Sequence, residues 1–273
     1  MPLYQALVLA IIQSLTEFLP VSSTAHLALT PWLLGWRDPG LSFDIALHLG
    51  TLAGLVVYFF RDWLEILAAA LRKPVRRDSE PARNPRLLWL LALATLPAAA
   101  AGVLFDEQAE TTWRSPYVMG SMLILVAGVM YWADRRGALR RGLAEVTLAD
   151  ALWIGGAQAV ALIPGTSRSG ITISTALLRG LDRPAAARFS FLLSTPALAG
   201  AALKAAWDLY QEGGLPHGMP GPFLVGVLAS ALTSWVVIAF FLRFLRTHTL
   251  RFFVYYRVFF GIIVIARAVL LRR

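Results

Sequence analysis

Apolar residues in this chain gather into runs near the twenty residues that a helix needs to cross the roughly 30 Å hydrocarbon layer of a bilayer. Six runs are uninterrupted, at 44–60, 87–105, 115–133, 185–207, 222–243 and 252–271. Two further stretches, 3–34 and 148–178, are broken midway by Pro20-Val21-Ser22-Ser23-Thr24 and by Pro164-Gly165-Thr166-Ser167-Arg168-Ser169-Gly170. Non-helical backbone at membrane depth is tolerated only inside protein or against water, so each broken stretch predicts a re-entrant helical hairpin. The pattern therefore predicts an all-α integral membrane protein, a single domain over 1–273, with six transmembrane helices and two re-entrant hairpins.

Composition supports this reading. Of 273 residues 58% are hydrophobic and 15% charged, against about 45–50% and 25% in soluble domains. The formal charge of +9 does not indicate nucleic acid: lysine is almost absent and arginines cluster between apolar runs. Arg72, Lys73, Arg76, Arg77, Arg83 and Arg86 form one cluster, Arg135, Arg136, Arg140 and Arg141 a second, and Arg243, Arg246 and Arg251 a third. The positive-inside rule places these connections in the cytoplasm and the segments 106–114 and 208–221 outside. Arg179, Arg183 and Arg188 then fall inside only if 148–178 enters and leaves on one face; Arg272-Arg273 lands outside and is the one conflict. The run 3–19 lacks a basic leader and a small-residue cleavage site, so it reads as part of the fold. No cysteine is present.

A weak repeat matches Pro20-Val21-Ser22-Ser23 with Pro164-Gly165-Thr166-Ser167, and Leu52-Ala53-Gly54 with Leu198-Ala199-Gly200. Each half, about 1–133 and 148–273, carries one hairpin and three crossings. An odd number of crossings inverts the second copy, so two hairpins enter from opposite faces and meet near the midplane.

Ionisable residues inside apolar runs mark functional sites. Gln13 and Glu17, four apart, share a helix face just before the first break. Ser22, Ser23 and Thr24 suit the N-cap of the following half-helix, whose free N–H groups attract anions. Ser23 and His26 can lie on one face, which makes Ser23 a nucleophile or phosphate ligand and His26 a neighbouring base or hydrogen-bond partner. In the second break, Thr166, Ser167, Ser169 and Gly170 offer hydroxyls and close backbone approach, and Arg168 offers a planar fork for phosphate oxygens; an Arg at that depth needs an anionic ligand or Glu17 as its partner. Thr172 and Ser174 continue this polar face. Asp44 and His48 stand one turn apart as a supporting or interfacial pair, and the Trp and Tyr residues fit an interface belt.

Residues 13–26, Gln-Ser-Leu-Thr-Glu-Phe-Leu-Pro-Val-Ser-Ser-Thr-Ala-His, and 164–172 resemble the two motifs of the undecaprenyl-diphosphate phosphatases associated with bacitracin resistance, and the likeness covers essentially the whole chain. The resemblance implies removal of the terminal phosphate of a C55 polyprenyl diphosphate on the outer face of the bacterial plasma membrane, which recycles the cell-wall carrier lipid. It carries importance to Glu17, Ser23, His26, Ser167, Arg168 and Thr172. It also implies a divalent cation, Mg²⁺ or Ca²⁺. Gln13 stands where many members have Glu, so Glu17 must hold the cation more nearly alone, with substrate oxygens and water completing its shell. A homodimer is left open, with membrane lipids and the polyprenyl diphosphate as the other partners and no nucleic acid.

Two alternatives differ in mechanism. Type-2 phosphatidic-acid phosphatases require a His about six residues after their Ser-Arg pair, where this chain has Ser174. A lipid or small-anion transporter, or flippase, would share the inverted repeat, but it gives no reason for Ser, Glu and Arg to converge on one locus.

Overall fold

A computed structural model describes residues 1–37, 40–73, 80–137, 139–211, 214–215 and 218–270. Among them run eleven α-helices and no β-strand: α1 (Leu3–Phe18), α2 (Ser23–Leu34), α3 (Leu41–Tyr58), α4 (Phe60–Ala70), α5 (Leu87–Glu110), α6 (Pro116–Arg136), α7 (Leu148–Val160), α8 (Arg168–Leu178), α9 (Arg183–Gln211), α10 (Pro220–Phe244) and α11 (Arg251–Leu270). Five helices are long and apolar enough to cross a bilayer, namely α5 over Leu87–Phe105, α6, α9, α10 and α11. The bent pair α3 and α4 makes six when counted as one span. Leu224, Leu228, Leu232 and Val236 form an exposed apolar stripe along α10. Such a stripe is stable in lipid and not in water, and the chain is a multi-pass membrane protein.

The run at 44–60 does not stop where its hydrophobicity does. Backbone at Phe59 leaves the helical region (φ −94°, ψ 14°), and the chain turns by 65° into α4. Helix α4 carries Arg61, Asp62 and Glu65 and buries Ile66 and Ala69, the two-faced pattern of a helix lying along an interface. Of the basic residues used for topology, Arg76, Arg77, Arg272 and Arg273 lie outside the described residues.

Both broken stretches are helical hairpins. Helix α1 packs on α2 and α7 on α8. At the base of the first, the ring of Tyr4 meets that of Trp36 edge-on, 5.9 Å between centroids. At the base of the second, Arg179 Nε donates to Asp150 Oδ1 at 2.9 Å. The local sequence sets these ends: Thr147 and Asp150 form a capping box that starts α7, and Gly35 in the left-handed region (φ 67°) ends α2. Met219, just before α10, packs with the base of the first hairpin. The base of the second adjoins the opposite end of the bundle, where Arg183 at the start of α9 pairs with Asp134 at the end of α6 at 2.6 Å.

That end is laced with ion pairs. Arg141 binds Asp150 at 2.6 Å, and Arg188 binds Asp62 at 2.8 Å and Glu80 at 3.4 Å. Burial alone would raise the Asp150 carboxyl, but hydrogen bonds from Arg141, Thr147 and Arg179 outweigh it and hold the group well below the usual carboxylate range.

The spans are joined by small residues, as membrane helices that gain nothing from hydrophobic contact with each other must be. Gly50 and Gly54 of α3 lie against α10, where a Cβ at Gly54 would collide with the Ala231 carbonyl and stand 2.7 Å from Ser234 Cβ. Gly54→Leu is expected to destabilise the bundle by at least the ~1–3 kcal/mol of ordinary overpacking. Thermal unfolding in detergent reads this; an unchanged midpoint would mean that α3 and α10 do not meet here.

Candidate active site

Each hairpin reverses through a serine with a positive φ, a conformation that costs a non-glycine residue on the order of 1–3 kcal/mol and persists only where its surroundings hold it. Ser22 has φ 76°, ψ 97° and Ser167 φ 70°, ψ 110°. Ser167 is held by the amide of Gly170, which donates to its Oγ at 3.2 Å. At Ser22 the carbonyl accepts from both the amide and the ring of His26. These serines immediately precede α2 and α8, so the backbone equivalence pairs Ser22 with Ser167 and Ser23 with Arg168. This is one residue away from the match between prolines that the sequence suggests.

The first residues of the two second helices meet at one carboxylate. Ser23 Oγ donates to Glu17 Oε2 at 2.6 Å, and Arg168 Nη2 donates to Glu17 Oε1 at 2.5 Å. Gln13 Nε2 adds a longer bond to Oε2 at 3.2 Å, and Arg168 Nη1 reaches the Ser194 carbonyl at 3.2 Å. Glu17 is buried while Ser23 is half-buried and Thr24 exposed, so the locus opens along the start of α2. A buried ion pair is a poor source of stability, since desolvation offsets its attraction; its presence at this depth points to chemistry.

His26 does not face Ser23. Its Nδ1 lies 2.7 Å from the Ser22 carbonyl, which can only accept, so the proton sits on Nδ1. Nε2 of the neutral ring then accepts from the Tyr256 hydroxyl at 2.6 Å. Phe260 stacks on the ring at 4.3 Å between centroids. With both nitrogens engaged, the group placed to take the Ser23 proton is Glu17.

The remaining candidates divide between the two loops. Ser169 Oγ donates to the Leu19 carbonyl at 3.2 Å, tying the second break to the first, and Ser22 pairs with Thr24 at 3.2 Å. Thr166 Oγ1 is buried without a partner among the described residues. Thr172 and Ser174 turn away: Thr172 bonds to Ser190 at 2.6 Å and to the Arg168 carbonyl, and Ser174 to the Gly170 carbonyl. His48 bonds to the backbone of Asp44 at 2.8 Å.

Sequence reasoning passed over Ser194, Tyr256 and Arg257. Arg257 is wholly buried. The signal for it was available, since Arg257 is an ionisable residue inside an apolar run, but its nearness to the basic start of α11 makes it look like a topology residue.

For a cation, no group of three or more His, Cys, Asp or Glu exists among the described residues. Gln13 Oε1, however, is buried and unpartnered beside Glu17. A carboxylate and an amide oxygen are ligand types of Mg²⁺ and Ca²⁺, which draw the rest of the shell from phosphates and water; both Glu17 oxygens are engaged in this structure, by Arg168 and by Ser23 with Gln13 Nε2.

Residues 6–263 match the family described as bacitracin resistance protein BacA. An undecaprenyl-diphosphatase of Gemmatimonas aurantiaca is 50% identical over 267 residues, 97% of this chain and 98% of that protein. Undecaprenyl-diphosphatases of Pelotomaculum thermopropionicum and Desulforudis audaxviator are each 46% identical, covering 98% of this chain and 97% and 98% of their own lengths. With a match from near one end of the chain to near the other, and relatives this similar over their full lengths, the protein belongs to the bacitracin resistance protein BacA family.

Proposed function

We propose that this protein is an undecaprenyl-diphosphatase that removes the terminal phosphate of a C55 polyprenyl diphosphate and returns the carrier lipid as its monophosphate. The observation that carries the chemistry is the Ser23 hydroxyl 2.6 Å from a carboxylate that also holds Arg168. Ser23 Oγ attacks the terminal phosphorus while its proton passes to Glu17. The bond to the bridging oxygen breaks, and the electron pair leaves on the prenyl monophosphate. Protonation neutralises Glu17 and frees the Arg168 fork for the charge spread over the transferred phosphoryl oxygens. Water then attacks the phosphoserine, Ser23 recovers the proton from Glu17, and phosphate departs as H₂PO₄⁻. Glu17 and Gln13 would hold a divalent cation, whose charge would help neutralise the diphosphate. Ser22, Thr24, Thr166, Ser167, Ser169 and Gly170 line the two breaks as phosphate contacts. His26 supports the first break.

The setting is the bacterial plasma membrane, with six crossings, two re-entrant hairpins related by an inverted repeat, and the site open to the outer face. Three features support this arrangement. The hairpin bases lie at opposite ends of the bundle; α1 packs on α10 as α7 packs on α5; and Ser22 and Ser167 share one unusual conformation. Transporters use the same plan, but carriage has no use for a serine bonded to a buried carboxylate.

Two measurements test the reading. Purified protein should release one orthophosphate per polyprenyl diphosphate, and failure to do so would discard the hydrolase. Single cysteines at Gln108 and Thr247, in a chain without native cysteine, should label from opposite sides of the membrane with an impermeant thiol reagent. Labelling of both from outside would overturn the topology.

A further inference from the structure

The two breaks are held against each other by a residue outside both hairpins. Arg257 on α11 is 0% exposed, and all its hydrogen bonds go to backbone carbonyls. Nε donates to Leu123 at 3.1 Å and Nη1 to Pro20 at 3.2 Å. Nη2 lies 3.3 Å from the carbonyl of Met122 and 3.0 Å from those of Gly165 and Thr166. Among the described residues no carboxylate pairs with it. Pro20 belongs to the first break, Gly165 and Thr166 to the second, and Leu123 and Met122 to α6. A single guanidinium therefore binds both loops and a spanning helix.

The carbonyls of a break have no helical N–H to accept from, and each would be costly to bury unpaired. An ammonium has three donors where the guanidinium has five, and the carbonyls reached here are five: Leu123, Pro20, Met122, Gly165 and Thr166. Gly170 packs beside the fork: a Cβ there would touch Nη1 at 3.5 Å and crowd Ser167 Cβ and Oγ at 3.2 Å. The preceding residue acts on the same loop: Tyr256 bonds to His26, whose ring grips the Ser22 carbonyl.

We propose that Arg257 is a positioning residue for the phosphoryl transfer: it sets the first break against the second so that Ser23 and Arg168 converge on Glu17. The assignment deepens the hydrolase reading and rests on it. Misplacement of reacting groups by about 1 Å can cost roughly 10²-fold in rate, and Arg257 touches no substrate in this role, so its loss falls on kcat.

The test uses full-length protein in detergent micelles: Arg257→Lys and Arg257→Met are assayed with Thr24 intact, and separate samples of the parent and both variants carry a nitroxide at Thr24→Cys solely as a reporter of the first break. The expected result is kcat lowered by about 10–100-fold in correctly folded Arg257→Lys, more in Arg257→Met, with KM within about threefold. The nitroxide should become more mobile in the same order. Should Arg257→Met fail to fold, Arg257→Lys keeps the charge and carries the test. A kcat per folded molecule within threefold of the parent, or an unchanged nitroxide spectrum, overturns the proposal; so does a rise in KM alone, which would assign Arg257 to substrate attraction. If the parent protein itself releases no phosphate, the hydrolase reading fails, while the nitroxide still reports whether Arg257 holds the break.

Discussion

Ser23→Ala is expected to lower turnover by about 10³-fold or more while the protein still binds polyprenyl diphosphate. Phosphoryl transfer has a loose transition state in which positioning and charge neutralisation dominate, yet a hydroxyl still needs somewhere for its proton to go. Glu17 Oε2 is already hydrogen-bonded to that hydroxyl. Single-turnover reaction with labelled substrate should place covalent phosphate on Ser23, and trapping should be lost in the alanine variant. If Ser23→Ala hydrolyses within tenfold of the parent, no phosphoserine forms and Glu17 activates a water directly. Glu17→Gln separates the remaining roles of the carboxylate. Activity that excess Mg²⁺ partly restores would assign Glu17 to a cation, whereas activity that Mg²⁺ cannot restore leaves it as the base.

Arg168→Lys should lower kcat by roughly 10²–10³-fold, the usual loss when one preorganised transition-state donor is removed. The substitution keeps the charge, so a large fall isolates geometry. Arg168 spreads two nitrogens between Glu17 and the Ser194 carbonyl, and a lysine ammonium cannot occupy both positions. In the variant the buried Glu17 retains a cation nearby, which limits the stability loss compared with Arg168→Ala; there the uncompensated carboxylate would cost about 3–5 kcal/mol. Steady-state kinetics alongside thermal unfolding distinguish the two effects. Near-normal turnover in Arg168→Lys would remove this residue from the chemistry.

The elements that could be read from sequence were those with a single physical cause. A twenty-residue apolar run has few explanations other than a span, and proline with hydroxyls inside such a run has few other than a buried break. Glu17, Ser23 and Arg168 were visible for the same reason, because charge and hydroxyls at that depth need a partner or a task. Three features required the third dimension. The bend at Phe59 lies within the apolar run at 44–60, just before its end, so periodicity does not mark it. The pairing of Ser22 with Ser167 depends on backbone angles, whereas the sequence match followed the prolines. The engagement of His26 with Tyr256 joins residues 230 apart, which local spacing cannot register, and in the mechanism proposed above it leaves Glu17 as the acceptor for the Ser23 proton.

The order of the site's components along the chain bears on how the proposed enzyme assembles. Glu17 and Ser23 come first, then Arg168, then Arg257 on α11. On the reading proposed above, a polypeptide inserted only as far as α10 would carry the proposed nucleophile and clamp without the brace that aligns them. Such an intermediate is expected to hydrolyse no carrier lipid, so activity would await the insertion of α11.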